Sequence, residues 1–170
     1  EPNAAHLALA RLQRQHPGKV TLITQNVDDL HERAGSAGVI HMHGELGRVR
    51  CTRCDHALAW TGDLGTGTVC PNCGKTGYLR PDIVWFGEMP HHMELIAEAL
   101  RNADVFAAIG TSGHVYPAAG FVGEARLAGA ETVEINNAGT AVSERFHRHL
   151  TGPATVEVPR WVDGLIAPGT

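Results

Sequence analysis

Apolar positions along the chain come in two rhythms. Over residues 3–16, Ala5, Leu9 and Leu12 recur at helical spacing. Asn3 can cap the first turn and Pro17-Gly18 ends the pattern, which predicts a helix. Short β-branched runs over 20–24, 105–109, 132–135 and 155–158 predict buried strands. Helical stretches over 91–102, 117–128 and 141–149 lie between them. Pro90 and Pro117 suit first-turn positions, and Gly129 suits a helix stop. Strands alternating with helices predict an α/β fold, a parallel sheet with helices on both faces.

An open parallel sheet binds ligands beyond the carboxyl ends of its strands, so the residues that follow each strand matter most. After the first come Gln25, Asn26, Val27 and Asp28; after the second Gly110, Thr111 and Ser112; after the third Asn136 and Asn137. Small, hydroxyl and amide groups are ordinary turn residues, but three such ends in succession favour a nucleotide crevice. No G-x-G-x-x-G phosphate turn occurs in these 170 residues. Gly65-Thr66-Gly67 follows no strand and reads as a turn.

Four cysteines form two pairs, Cys51-x2-Cys54 and Cys70-x2-Cys73, with fifteen residues between them. That spacing fits a structural zinc site. Four thiolates close a tetrahedron around Zn²⁺ and leave no position for water, so such an ion holds structure and does no chemistry. Two disulfides are the alternative, and no secretory signal pattern argues for them. Residues 48–78 carry no long periodic pattern, as expected of a module stapled by metal.

Composition narrows the classes. The chain is 43% apolar and 19% charged, enough apolar material for a core. A net charge of −4 offers no basic excess for a nucleic-acid backbone, which argues against a direct nucleic-acid binder. No apolar run approaches the roughly 20 residues that span a bilayer. The expected location is therefore the cytoplasm, with no membrane partner.

Eleven histidines is a high number, and two of them frame a short motif, His41-Met42-His43-Gly44-Glu45. Alternate residues of an extended segment share a face, so His41 and His43 can both line a site as ligands, as a base with its neighbour, or as bystanders. In order, the motifs are Thr24-Gln25-Asn26-Val27-Asp28, His41 to Leu46, the two cysteine pairs, Arg80-Pro81-Asp82-Ile83-Val84-Trp85-Phe86-Gly87-Glu88, Gly110-Thr111-Ser112 and Tyr116-Pro117-Ala118-Ala119-Gly120. This series closely resembles bacterial sirtuins of the CobB type, NAD-dependent protein-lysine deacylases, essentially from end to end.

The resemblance implies a Rossmann-like NAD-binding domain of the deoxyhypusine-synthase-like kind, over 1–47 and 79–170, with a small zinc-binding module inserted at 48–78. It implies that Gln25, Asn26, Val27 and Asp28 face the nicotinamide and its ribose. Gly110, Thr111 and Ser112 hold the adenosine side, Asn136 the adenine ribose, with Asn137 and Ala138 in the same loop and Ala154 a late adenine contact. Cys51, Cys54, Cys70 and Cys73 match the ligands of one structural Zn²⁺. His43 matches the catalytic histidine, with Asn26 beside it, and His41 is left structural.

In the implied chemistry the acyl-lysine oxygen attacks the ribose carbon bearing nicotinamide. His43 then takes a proton from the ribose hydroxyl that attacks the acyl carbon. Free lysine, nicotinamide and O-acyl-ADP-ribose result. An imidazole with an ordinary pKa near 6.5 suits that task. Acyl-lysine proteins or peptides are the implied partners. They lie extended between Val84, Trp85, Phe86, Gly87 and Glu88 on one side and Gly113, His114, Val115 and Tyr116 on the other, adding a strand to both. Alternate side chains of 84–86 are expected to point inward.

The sequence departs from the family at its start. Sirtuins open with a Gly-rich NAD loop, GAGxSxxSGIPxFR in form, and neither it nor the helical segment after it is found here. The expectation is a chain with part of an NAD site and one strand too few, which binds NAD weakly and turns over little alone. A bare apolar face would seek the missing segment or a second copy. No Y-x-x-R occurs, because Tyr78 and Arg80 are two apart, so the choice between deacetylase and desuccinylase stays open. A non-catalytic NAD or ADP-ribose module and a protein ADP-ribosyltransferase are the alternatives of function.

Overall fold

The structure is a computed structural model that describes residues 1–167. Two compact units compose it, each interrupted in sequence. The first comprises Glu1–Thr21, Leu30–Gly38 and the chain from Glu94 onward; the second comprises Leu22–Asp29 and Val39–Met93.

The first unit is built on a three-stranded parallel sheet. Its strands are β6 (Val105–Ile109), β7 (Glu131–Asn136) and β8 (Arg148–Thr151), with β7 central. Val105 pairs with Glu131 and Val133 with Arg148, so all three carboxyl ends lie at one edge. The connection from β6 to β7 runs through a 3-10 turn, Ala118–Gly120, and helix α4 (Phe121–Leu127). Val122, Val142 and Phe146 form a buried cluster against Phe106 and Ala108, with the Phe106 and Phe146 rings stacked 6.4 Å apart.

Helix α1 (Ala4–Gln15) has the predicted cap. The Asn3 side chain accepts from the amides of Ala5 and His6. Ala5, Ala8, Leu9 and Leu12 are buried where α1 packs on α5 (Ala154–Ile166), and Arg11 pairs with Asp163. The short α2 (Leu30–Arg33) and α3 (Met93–Arg101) complete the helices.

Three elements depart from the sequence expectation. The run 155–158, expected as a strand, lies in α5, because Val158 and Val162 recur at helical spacing and both are fully buried. The stretch 141–149, expected as a helix, is a 3-10 turn, Ser143–Arg145, that leads into β8. Pairing of β8 with β7 outweighs local propensity there. Pro90 does not open a helix, since α3 starts only at Met93.

The second unit holds a short parallel pair, β1 (Ile23–Thr24) and β2 (Ile40–His41), in the register Ile23 to Ile40 and Thr24 to His41. It also holds an antiparallel sheet in which β3 (Gly44–Cys51) lies between β4 (Ala57–Ala59) and β5 (Leu79–Ile83). Among the described residues no helix is long and apolar enough to cross a membrane.

Candidate functional site

The second unit places the two motif histidines against one loop. Met42 is fully buried, while His41 and His43 both reach carbonyls of the loop after β1. His43 Nδ1 lies 3.0 Å from the Gln25 carbonyl, and His41 Nδ1 lies 3.4 Å from that of Asn26. A carbonyl only accepts, so each Nδ1 carries a proton, and in the neutral form of His43 this leaves the lone pair on Nε2. His41 is buried at 6% exposure, whereas His43 is only half-buried, so His43 can meet a ligand. The loop is braced by the Asn26 amide donating to Thr24 Oγ1 at 3.1 Å and by the Leu46 amide donating to the Val27 carbonyl at 2.8 Å. Gln25 and Asp28 are half-buried and Asn26 is exposed.

Behind His43 the backbone is pinned. The Val84 amide donates to the His43 carbonyl at 2.9 Å, and the His91 amide donates to that of Met42 at 2.9 Å. Gly44 has φ +81°, and a Cβ there would stand 1.8 Å from the Asp82 carbonyl oxygen. Only glycine lets β3 leave the histidine turn this close to β5.

The segment 84–88 does not form the expected strand with inward alternation. β5 ends at Ile83, and the Glu88 amide donates back to the Trp85 carbonyl at 2.9 Å, making a turn. Trp85 and Phe86 are consequently both exposed, Phe86 completely. The Glu88 carboxylate fixes this turn. It takes two 2.7 Å hydrogen bonds from Arg80 and a 3.0 Å one from the Trp85 amide. The Arg80 guanidinium, helped by the Trp85 amide, lowers the Glu88 carboxyl to about 2.

The same sheet brings the cysteines together. All four Sγ atoms lie within 4.8 Å of one another. The Cys51–Cys73 and Cys54–Cys70 separations are both 3.8 Å. A tetrahedron with Zn–S bonds of about 2.3 Å has edges of about 3.8 Å, so the donor set fits Zn²⁺. None of the four is in a disulfide, which removes that alternative. Each pair sits in a matching turn: the Asp55 amide donates to the Cys51 carbonyl and the Gly74 amide to that of Cys70, both at 2.8 Å. Asn72 Nδ2 donates to Cys54 Sγ at 3.4 Å, and chiefly this, with the backbone at His56, lowers that thiol to about 6.

The first unit presents the other predicted residues at its strand ends. Asn136 Nδ2 donates to the Thr111 carbonyl at 2.8 Å, and Asn136 Oδ1 accepts from the Asn137 amide at 2.9 Å. One side chain thereby ties the ends of β6 and β7. Gly110 bonds by its amide to the Ile135 carbonyl at 2.9 Å, and nothing lies within 4 Å of where its Cβ would point, so its backbone is open to a ligand. The His114 amide donates to Ser112 Oγ at 3.4 Å. Residues 113–116 are irregular, with Val115 and Tyr116 exposed. Ala154 opens α5 just beyond β8. Asn136 and Ala138 line a pocket of about 260 Å³ with Glu134, Ser143 and His149.

Two carboxylates take structural roles that the sequence motifs do not assign. Asp82 is 6% exposed; Arg50 Nε donates to it at 2.9 Å, while His91 Nε2 lies 3.3 Å away without hydrogen-bond geometry. Arg50 also reaches Asp55 at 2.8 Å, joining the turn of the first cysteine pair to β5. Glu134 is 4% exposed in the middle of β7. The signal for it was a lone acid inside an otherwise buried strand, flanked by Val133 and Ile135.

This arrangement matches known proteins. The Sir2 family model matches residues 1–117. A protein of Bdellovibrio bacteriovorus named NAD-dependent protein deacylase is 56% identical over 162 residues, which is 95% of this chain and 68% of that protein. The crystal structure of a Sir2 homolog–NAD complex superposes with a TM-score of 0.82 at 38% identity, covering 98% of this chain and 64% of that one. Sir2Af2 bound to a myristoylated histone peptide superposes with a TM-score of 0.78 at 32% identity, covering 97% and 72%. The chain thus spans about two thirds of the length of the relatives it matches. The family model over residues 1–117 and 56% identity across 95% of the chain show that the chain belongs to the Sir2 family.

Proposed function

We propose that this chain carries the catalytic part of an NAD-dependent protein-lysine deacylase. The observation that carries the reading is the fixed tautomer of His43: its Nδ1 proton is held by the Gln25 carbonyl, and its Nε2 is left as a base. NAD supplies the activated ribose carbon and the ribose hydroxyls. His43 Nε2 takes the proton from one of those hydroxyls. Asn26 and Asp28, on the loop that orients His43, bind the nicotinamide ribose, with Gln25 and Val27 beside them. In the first unit Gly110, Thr111, Ser112 and Asn136 hold the adenosine end, and Asn137, Ala138 and Ala154 continue that surface. The donor set fits a nucleotide: an exposed backbone at Gly110, a hydroxyl at Ser112 and amides at Asn136 and Asn137.

The acylated peptide is read by the 84–88 turn and by 113–116. Exposed Trp85 and Phe86 offer apolar area, and backbone groups supply bonds with little sequence demand. Cys51, Cys54, Cys70 and Cys73 hold one Zn²⁺ whose coordination is full, so it orders residues 48–78 and takes no part in the reaction. Histone and p53 peptides in the structures of relatives support a protein substrate. The expected site of action is the cytoplasm.

The test is incubation of the chain with NAD and acetyl-lysine or succinyl-lysine peptides, read by mass spectrometry. The reading expects unmodified lysine and O-acyl-ADP-ribose, both abolished in His43→Ala. A gain of ADP-ribose on the peptide would replace it with ADP-ribosyl transfer. Nucleotide binding without product would move the assay to a chain extended upstream through a Gly-rich NAD loop, where product keeps the deacylase reading and no product leaves a non-catalytic module.

A further inference from the structure

The first unit contains a buried acid that the proposed reaction does not use. Glu134 points its carboxylate from β7 into the loop that follows the same strand. Thr140 Oγ1 donates to its Oε1 at 2.5 Å, Ser143 Oγ donates to its Oε2 at 2.5 Å, and His149 Nδ1, from β8, lies 3.0 Å from Oε2. Burial pushes this carboxyl up and the three donors push it down; the donors prevail, and Glu134 stays ionised. A charge in a strand core is costly unless it is so satisfied, which makes it an unusual choice for packing alone.

Its position explains the choice. Ser143 Oγ also accepts from the Thr140 amide at 2.6 Å, so the carboxylate and two hydroxyls close the loop 136–143 on itself. The loop after β6 rests on that closed surface. At Gly113, φ +69°, a Cβ would stand 2.6 Å from Val142 Cγ2 and 3.1 Å from Thr140 Oγ1. The hydroxyl that Glu134 holds is therefore also the one on which residue 113 packs. The Asn136–Thr111 bond is the second tie between the same two loops.

We infer that Glu134 is a positioning residue for nucleotide binding. Through Thr140 and Ser143 it sets the relative places of the 110–113 and 136–143 loops without touching the ligand. This rests on the adenosine-side assignment above. It predicts an effect on affinity for the nucleotide and none on the chemical step.

The test uses Thr140→Val, which keeps shape and removes the donor to Glu134, with Thr140→Ser as the conservative variant and Glu134→Gln as a second route. ADP-ribose binding is measured by calorimetry, and NAD and peptide kinetics by product formation. Thr140→Val and Glu134→Gln should weaken ADP-ribose and raise the KM for NAD by about tenfold, the scale of one lost charge-assisted hydrogen bond. They should leave kcat within about twofold, and Thr140→Ser should restore NAD affinity. Unchanged ADP-ribose affinity in folded Thr140→Val, or an equal loss in kcat, overturns the inference while leaving the deacylase reading intact. A parent chain that does not bind ADP-ribose overturns both.

Discussion

Two loops proposed to meet ligands are each anchored by a glutamate, and the anchors are built differently. In the first unit Glu134 is buried and held by two neutral hydroxyls and an imidazole. In the second unit Glu88 has a side chain 40% exposed and is held by a single guanidinium and one amide. Removing the first leaves hydroxyls without their acceptor inside the protein, whereas removing the second leaves an arginine that water can solvate. The difference suits the proposed tasks. A nucleotide has one shape and rewards a fixed cradle, while acylated peptides vary and suit a turn on the surface.

The largest way to separate the two regions acts on the metal. Structural zinc is worth on the order of 10 kcal/mol to a small module. Cys70→Ser, or a strong chelator, should therefore unfold residues 48–78 and abolish amide protection in β3, β4 and β5. Protection in β6, β7 and β8 should persist. Hydrogen exchange followed by mass spectrometry reads both regions at once, and equal loss in both would break the comparison.

A smaller effect comes from Gly44→Ala. The new Cβ would collide with the Asp82 carbonyl at a backbone angle that alanine tolerates poorly. A cost of about 3 kcal/mol, and hence a fall in melting temperature of roughly 6–12 °C, is expected. A shift under 2 °C would mean that β3 and β5 move apart freely.

His149→Ala removes one of three donors to Glu134, from a partly exposed ring. We expect a loss of about 1 kcal/mol or less. It should show as a shift in the urea midpoint, with ADP-ribose affinity changing less than in Thr140→Val. The opposite ranking would move the anchor from the hydroxyls to the imidazole.

Glu88→Gln should have the least effect at neutral pH, visible as a modest rise in peptide KM. Its signature lies in acid. The folded carboxyl sits near 2 against an ordinary 4.5, so its pair with Arg80 contributes above about pH 4.5 and is lost as pH falls toward 2. The protection of the Trp85 and residue-88 amides, relative to their intrinsic exchange rates, should therefore fall across that window in the parent chain and stay unchanged in Glu88→Gln. An acid step that survives the substitution would assign it to another group.

Much of this was legible in the sequence. The Asn3 cap, β6 and β7 follow from local pattern, and the cysteine spacing foretold a tetrad that the structure assembles. What escaped depends on partners distant in sequence. Val156 and Val158 read as a strand because β-branching is a local property, but in α5 Val158 and Val162 share a fully buried face while Val156 stays exposed. Residues 141–149 read as a helix until Glu134 and β7 claim them. The Trp85-Phe86 pair reads as half core, and its exposure comes from an ion pair between Arg80 and Glu88 that no periodicity reveals. Of the candidate site, residue types at strand ends were readable, whereas the roles of Glu134, which holds Thr140 and Ser143, and of Asp82, which holds Arg50, needed coordinates.

The partner of His43 is a main-chain oxygen. Replacing the side chain at position 25 can alter what the loop offers a nucleotide, but it cannot remove the carbonyl that fixes the proton on Nδ1. A genetic library at that position would therefore vary the proposed recognition and leave the tautomer of the proposed base inherited by every member. An engineer can treat Gln25 as a tuning site and the imidazole as a constant.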